Sequence, residues 1–263
     1  MADELTFIGT ATAVLRLGGF TLLTDPNFLH KGQRAYLGYG LWSRRRTEPA
    51  WQVDQLPPLD GVVLSHLHGD HFDRIARRGL PNDVPVVTTG HAARRLRRWG
   101  FSGTVPLRPW QSTELRRGAE TLRITAVPGV HGPGPVDLLM PPVMGTVLEH
   151  RNATVYVTGD TLFRPGLAEV RRRFPELSAM VVHLGGTRIL GVLLTMDGRQ
   201  GADLVELLRP PVTVPVHYDD YPVFRSPLSD FLNVVRRRRI PGEIRAVHRG
   251  ETVSLLPERA AQV

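Results

Sequence analysis

The chain has 263 residues, 41% of them hydrophobic and 22% charged, with a formal net charge of +8. This is the composition of a soluble globular protein, neither disordered nor fibrous. There is no Cys, which excludes a disulfide framework, a thiolate metal site and a cysteine nucleophile, so any metal must be held by His, Asp or Glu.

The opening "MADELTFIGT" is acidic and lacks the apolar core of a signal peptide. No apolar run is long enough for a transmembrane segment, so a cytoplasmic protein is expected. Thr6–Ile8, Ala13–Leu15 and Phe20–Leu23 read as strands, with Gly18-Gly19 as a turn between the last two. Residues 27–58 mix Gly, Pro, Arg and aromatics without a period and read as a long loop. Val62-Val63-Leu64 is a short buried strand, and a helix is expected near 72–79. Residues 84–89 read as a strand, and "GHAARRLRRWG" as a helix ended by Gly100. Strands are expected at 121–130, 153–160, 179–186 and 212–217. Helices are expected at "LAEVRRRFPE", at "GRQGADLVELLRP", which stops at Pro, and near 227–238, before two short C-terminal strands. The two halves rhyme, each with strands first and then strand–helix alternation. One domain over 1–263 is expected, made of two sheets with helices outside.

Of the 33 basic residues, only Lys31 is lysine. The arginine runs 44–46, 94–98, 171–173 and 236–239 are dispersed, and solvated helix faces explain them better than nucleic-acid contacts.

His or Asp stands at five strand ends: the His66/His68/Asp70/His71 cluster, His131, Asp160, His183 and His217. In α/β folds the same ends of neighbouring strands converge on one crevice. Three neutral imidazoles suit Zn²⁺. His66 and His68, two residues apart in an extended turn, point the same way. Asp70 and His71 can face a second ion, and the Asp160 carboxylate can bridge two cations.

His66-Leu67-His68-Gly69-Asp70-His71 resembles the HxHxDH motif of the metallo-β-lactamase superfamily. His131 in "VPGVHGPG", Asp160 in "VTGDT" and His217 in "PVHYDD" match its later ligands in order, and "TFIGTATAVL…LLTDP" resembles its opening hairpin. The match covers nearly the whole chain. The resemblance implies an α/β fold of the αββα four-layer sandwich type, with two mixed sheets and helices on the outer faces. It further implies two divalent metal ions, zinc first, with manganese and iron also suited to His/Asp donors. His66, His68 and His131 would hold one ion, Asp70, His71 and His217 the other, and Asp160 would bridge. "LTDP" and "TMD…PVHYDDY" most resemble the branch with L-ascorbate-6-phosphate lactonases and N-acylphosphatidylethanolamine-hydrolysing phospholipase D. Many relatives carry Gly-His-Ala-Thr near the start, where this chain has Gly9-Thr10-Ala11-Thr12.

The expected activity is hydrolysis of an ester, lactone, amide or phosphodiester by metal-activated water. Asp70 and Asp160 belong to that chemistry. His183 fits no ligand slot and is assigned either to substrate or ligand orientation or to packing beneath the crevice. Tyr221, or Tyr218, is a candidate hydrogen-bond or proton donor. Asp25 is expected to brace the metal loops, and Thr158 and Thr161 to brace Asp160. A serine triad on Ser65 is disfavoured because no G-x-S-x-G elbow is present. A nuclease on the same site is the alternative function. A flavin-coupled redox protein and a non-catalytic scaffold fit less well. The apolar stretches 36–42, 137–145 and 187–196 suggest a pocket for a small-molecule substrate with an apolar body, or core packing or a homo-oligomer interface.

Overall fold

The structure, a computed structural model, describes residues 3–151 and 153–257. In the first half, β1 (Glu4–Gly9), β2 (Thr12–Leu17) and β3 (Phe20–Thr24) form an antiparallel meander. A small hairpin follows, β4 (Arg34–Tyr36) with β5 (Trp42–Arg44). Then β6 (Gly61–Val63), β7 (Val86–Thr89) and β8 (Thr104–Leu107) extend the sheet in parallel, connected through α1 (Arg74–Gly79) and α2 (Gly90–Arg98).

The second half repeats the plan. β9 (Ser112–Arg117), β10 (Glu120–Pro128), β11 (Met144–His150) and β12 (Ala153–Val157) form a meander. After α3 (Ala168–Arg173) comes β13 (Ala179–His183), then a hairpin of β14 (Arg188–Ile189) and β15 (Val192–Leu193). α4 (Gly198–Leu208), β16 (Val212–Val216), α5 (Leu228–Arg238) and β17 (Glu243–Ile244) complete it, with β12, β13, β16 and β17 parallel. β18 (Thr252–Ser254) returns to pair with β1. The sheet orders are β18-β1-β2-β3-β6-β7-β8 and β17-β16-β13-β12-β11-β10-β9.

Side-chain alternation along the strands makes the layers. Leu15, Leu17, Phe20 and Leu22 of the first sheet meet Ile124, Leu148, Val155 and Val181 of the second in a core between the sheets. The opposite faces are apolar too. Val14, Leu23 and Val62 pack under Ala76 of α1 and Leu96 of α2. Tyr156, Met180 and Val182 pack under Val170, Val205 and Phe231 of α3, α4 and α5. With both faces covered, these strands read as nearly continuous apolar runs. The result is the expected four-layer αββα sandwich.

Four local readings change. The 27–58 loop contains the β4–β5 hairpin and a 3-10 turn at Val53–Gln55. The 137–145 stretch ends inside β11, and 187–196 contains the β14–β15 hairpin. The run Arg44–Arg46 is no helix face: Arg45 is fully buried.

Candidate active site at the seam of the two sheets

β10, β12, β13 and β16 run in one direction, so their C-terminal ends lie along one edge of the second sheet. His131, Asp160, His183 and His217 all stand there. β3 and β6 are likewise parallel and deliver Asp25 and His66–His71 from the first sheet. The seven expected ligands meet at this seam. His66, His68 and His131 form one group whose donor atoms lie within 4.8 Å of one another; Asp70, His71 and His217 form a second, and His66, His71 and Asp160 a third. The Nε2 of His66 is 2.9 Å and the Nε2 of His131 3.2 Å from Nδ1 of His68.

Four of the imidazoles are anchored through one nitrogen, which leaves the other aimed at the centre. His131 Nδ1 donates to the Leu194 carbonyl at 3.1 Å and His217 Nδ1 to the Leu184 carbonyl at 3.2 Å. His66 Nδ1 lies 3.0 Å from Ser65 Oγ, and His71 Nδ1 3.1 Å from Asp25 Oδ2. The inward atoms His71 Nε2, His217 Nε2, Asp70 Oδ1 and Asp160 Oδ1 are buried and have no hydrogen-bond partner among the described residues. Asp160 Oδ2 lies 3.3 Å from His71 Nε2, outside hydrogen-bond geometry. Buried polar atoms are rarely left so. Four of them around one point suit cations: nitrogen lone pairs and carboxylate oxygens accept a metal without needing a proton.

The charges divide. Burial, reinforced by neighbouring His71, holds the His66 imidazole well below its usual range, and burial with His131 nearby pushes His68 down to about 3. Burial lowers His131 as well. These rings are neutral and their lone pairs available. At His71 burial acts in the same sense, but the carboxylates of Asp160, Asp25 and Asp70 outweigh it and raise the ring well above its ordinary value. Burial would raise Asp160; His217 and His71 instead hold it well below the carboxylate range. Without a cation, the first flank is therefore neutral, while on the second the carboxylates draw protons onto His71 and His217, protons that a bound cation would displace.

The bracing differs in part from expectation. Asp25 accepts from Ser65 N at 2.7 Å and Ser65 Oγ at 2.9 Å, and its Oδ2 is 3.3 Å from His183 Nε2. It braces the loop after β6, as expected. His183 lies beneath the centre, its ring stacked on His71 at 6.1 Å and its Nδ1 3.3 Å from Thr158 Oγ1. Thr158 thus serves His183, and Thr161 serves the backbone of Val130. Asp160 is held instead by Thr195 Oγ1 at 3.1 Å. The Tyr221 hydroxyl is buried and donates to Asn27 Oδ1 at 3.0 Å, and Tyr218 OH points to the Val247 carbonyl. Neither hydroxyl is directed at the centre.

Sequence reasoning missed a buried network behind the ligands. Arg45 donates to Asn27 Oδ1 at 2.8 Å, to the carbonyls of Asn27 and Leu29, and to Asp220 Oδ1 at 3.2 Å. Asp220 also accepts from Thr10 N at 2.8 Å and from Thr47 and Arg249. The Thr10 carbonyl accepts from His217 N at 2.7 Å. The Gly9-Thr10 stretch therefore positions a candidate ligand through its backbone. His217 itself sits at φ +64, a left-handed conformation that a non-glycine residue keeps only when its surroundings enforce it.

A cavity of about 1170 Å³ reaches the centre at His68. Its lining includes the apolar or aromatic Tyr36, Tyr39, Trp42, Trp99, Leu138 and Leu139 and the cationic Arg34, Arg74, Arg77 and Arg95. Two of the three apolar stretches thus bound a pocket. The 187–196 hairpin lines none of it; its Leu194 carbonyl anchors His131 and its Met196 is buried in the outer core.

Residues 22–218 match the family model described as "Beta-lactamase superfamily domain". The chain belongs to the β-lactamase superfamily. The matched span runs from β3 to just past His217, so it takes in every candidate ligand. A UPF0173 metal-dependent hydrolase of Staphylococcus haemolyticus is 24% identical over 260 residues, covering 95% of this chain and 99% of that protein. The structure of a "possible metal-dependent hydrolase" from Veillonella parvula superposes with a TM-score of 0.82 at 24% identity, covering 97% of this chain and 100% of that one. An isothiocyanate hydrolase from Delia radicum gut bacteria superposes with a TM-score of 0.80 at 24% identity, covering 95% and 98%. These likenesses establish the superfamily's fold over the whole length. They bear on the superfamily, not on the lactonase or phospholipase D branch. Among the described residues no helix is long and apolar enough to cross a membrane.

Proposed function

We propose that this superfamily member is a metal-dependent hydrolase with a two-metal centre. His66, His68 and His131 hold one ion, Asp70, His71 and His217 the other, and Asp160 lies between them. The observation that carries the reading is the set of four buried inward atoms without a partner, on rings and carboxylates anchored from behind. Zinc suits the neutral imidazoles best, with manganese and iron as the other ions for a His/Asp set. Divalent ions, when bound, supply Lewis acidity, polarising a substrate oxygen and activating water near neutral pH.

The chain's own residues supply the rest. Asp25 and the Leu194 and Leu184 carbonyls fix which nitrogen of His71, His131 and His217 faces inward. Thr195 fixes the carboxylate plane of Asp160. Asp70 Oδ1, which has no protein donor, is left free for a cation or for water bound beside one. His183 acts as a positioning residue, holding Asp25 and stacking under His71.

The bond is an ester, lactone, amide or phosphodiester, and the isothiocyanate hydrolase neighbour adds isothiocyanates to the panel. A nuclease is less favoured, because Tyr36, Tyr39, Trp42, Leu138 and Leu139 line the cavity that reaches His68, an apolar surface that a phosphate backbone leaves unused. The test is metal analysis of protein purified without added metal, followed by a panel of lactones, phosphodiesters, β-lactams, isothiocyanates and single-stranded nucleic acid. About two ions per chain with turnover of a small molecule is expected; a metal-free, inactive protein under all loading conditions overturns the reading.

A further inference from the structure

Four arginines line the cavity, Arg34, Arg74, Arg77 and Arg95, and none makes an ion pair among the described residues. Elsewhere arginines pair freely, as Arg16 does with Glu4 and Arg238 with Asp203. The acids in the cavity wall are already engaged. Asp73 accepts from four backbone amides, those of Phe28, Leu29, Ile75 and Ala76. Asp137 accepts from His131 N at 2.7 Å. The wall therefore carries uncompensated positive charge.

Two of these guanidinium groups are held in place. Arg77 lies over Trp99 at 4.6 Å from the ring centroid and Arg95 at 5.3 Å. Cation–π contact restrains the two guanidinium groups while leaving N–H donors to meet a ligand. Across the cavity, Tyr39 OH donates to the Leu139 carbonyl at 2.5 Å, tying the two apolar flaps together. The cavity thus combines apolar residues, guanidinium groups and His68 in one lining.

We propose that the cavity takes up from solution a small amphiphilic anion: an acyl-like apolar body against Tyr36, Trp42 and Leu139, and a terminal oxyanion at Arg77 and Arg95. The inference rests on the hydrolase reading only for what happens next, since it places the reacting group of such a molecule at His68. Charge complementarity selects this occupant. A neutral hydrocarbon leaves the guanidinium groups unanswered, and a polyanion leaves the tyrosine and leucine wall unanswered.

Isothermal titration calorimetry with decanoate and 1-decanol, both below their aggregation limits, reads binding without turnover. Decanoate is expected to bind roughly tenfold more tightly than decanol, the scale of one or two charge-assisted contacts. Arg77→Glu/Arg95→Glu should abolish that preference and leave decanol affinity unchanged. Arg74→Gln, a milder change, should reduce it in part. Arg98→Glu, on the helix of Arg95 but outside the cavity, should keep it. Equal affinity for the two probes, or a preference that survives the double reversal, overturns the proposal. So does protein that ignores decanoate but sediments with phosphatidylglycerol vesicles, which would make this face a membrane surface. If the preference holds while the substrate panel and metal analysis fail, the hydrolase reading falls and the binding site stands.

Discussion

Asp25→Asn exchanges one buried oxygen for an NH₂ group at almost constant volume. The wild-type carboxylate accepts from Ser65 N and Ser65 Oγ and faces His71 Nδ1 at 3.1 Å and His183 Nε2 at 3.3 Å. Burial opposes its charge, but His71 and the hydrogen bonds to His183 and His71 pull it to about 2, so it is ionised at neutral pH. The amide oxygen can keep Ser65 N, but its nitrogen then turns a donor toward the Nδ1–H of His71. A buried donor facing a donor costs about 1–3 kcal/mol. If the reading of the centre is right, that energy is withdrawn from the orientation of His71, and a shift of ~1.4 kcal/mol is tenfold in affinity. Asp25→Asn should therefore weaken metal binding roughly 10–100-fold, with little loss of folded structure. Competition against a chromophoric chelator measures the affinity, and circular dichroism checks the fold. A folded Asp25→Asn protein that holds metal as tightly as the parent would refute the claim that Asp25 orients His71.

Other perturbations probe the frame. A Cβ at Gly69 would stand 2.6 Å from the Tyr36 amide nitrogen and 2.8 Å from its carbonyl oxygen. Gly69→Ala should thus displace the β4–β5 hairpin at a cost of about 1–3 kcal/mol, seen as a lower Tm and, because Tyr36 lines the cavity, a higher KM. Asp220→Asn leaves Arg45 and Arg249 without their buried partner and should cost about 3–5 kcal/mol in denaturant unfolding. Opposed by burial but favoured by Arg45 and Arg249, the Asp220 carboxyl lies at about 2 in the fold against an ordinary 3.8. Its stabilisation is therefore present above about pH 4 and fades as pH falls toward 2, where parent and Asp220→Asn should converge. Chelation should abolish turnover and added zinc restore it, and acid should release metal as the ligand imidazoles protonate; metal retained in strong acid would count against an all-His/Asp centre.

The candidate site was legible where its signal is local. Four polar residues within six positions after an apolar strand, and single His or Asp residues at later strand ends, marked eight positions including His183; the resemblance to the HxHxDH family then singled out the seven ligand candidates. The sandwich was legible for a related reason: strands buried on both faces appear as short apolar runs. Support was not legible, because it acts at long range. Asn27, Arg45 and Asp220 are joined across a sequence separation of as much as 175, and no local pattern distinguishes Arg45 from its exposed neighbour Arg44. Thr195 was visible only as part of "TMD", with nothing to aim it at Asp160. Tyr221 stands next to a ligand-bearing turn in sequence, yet its ring turns into the network at Asn27. Edge strand β9, "STELRR", has exposed charge at Glu114, Arg116 and Arg117 and no apolar period to betray it. The cavity's cations at Arg74, Arg77 and Arg95 were hidden in arginines that looked like ordinary helix surface.

Because the donors come from both sheets, their spacing is also a gauge of how the sheets sit on each other. His66, His68, Asp70 and His71 ride on the first sheet, and His131, Asp160 and His217 on the second. Every grouping of donors draws on both. A slide of one sheet over the apolar layer leaves distances within each set unchanged and alters every distance between them. A mutation deep in that layer, far from any polar atom of the centre, can therefore detune it as effectively as one beside it. Leu148 and Val155, remote from the seam's edge by position in their strands, belong on any map of residues that govern activity.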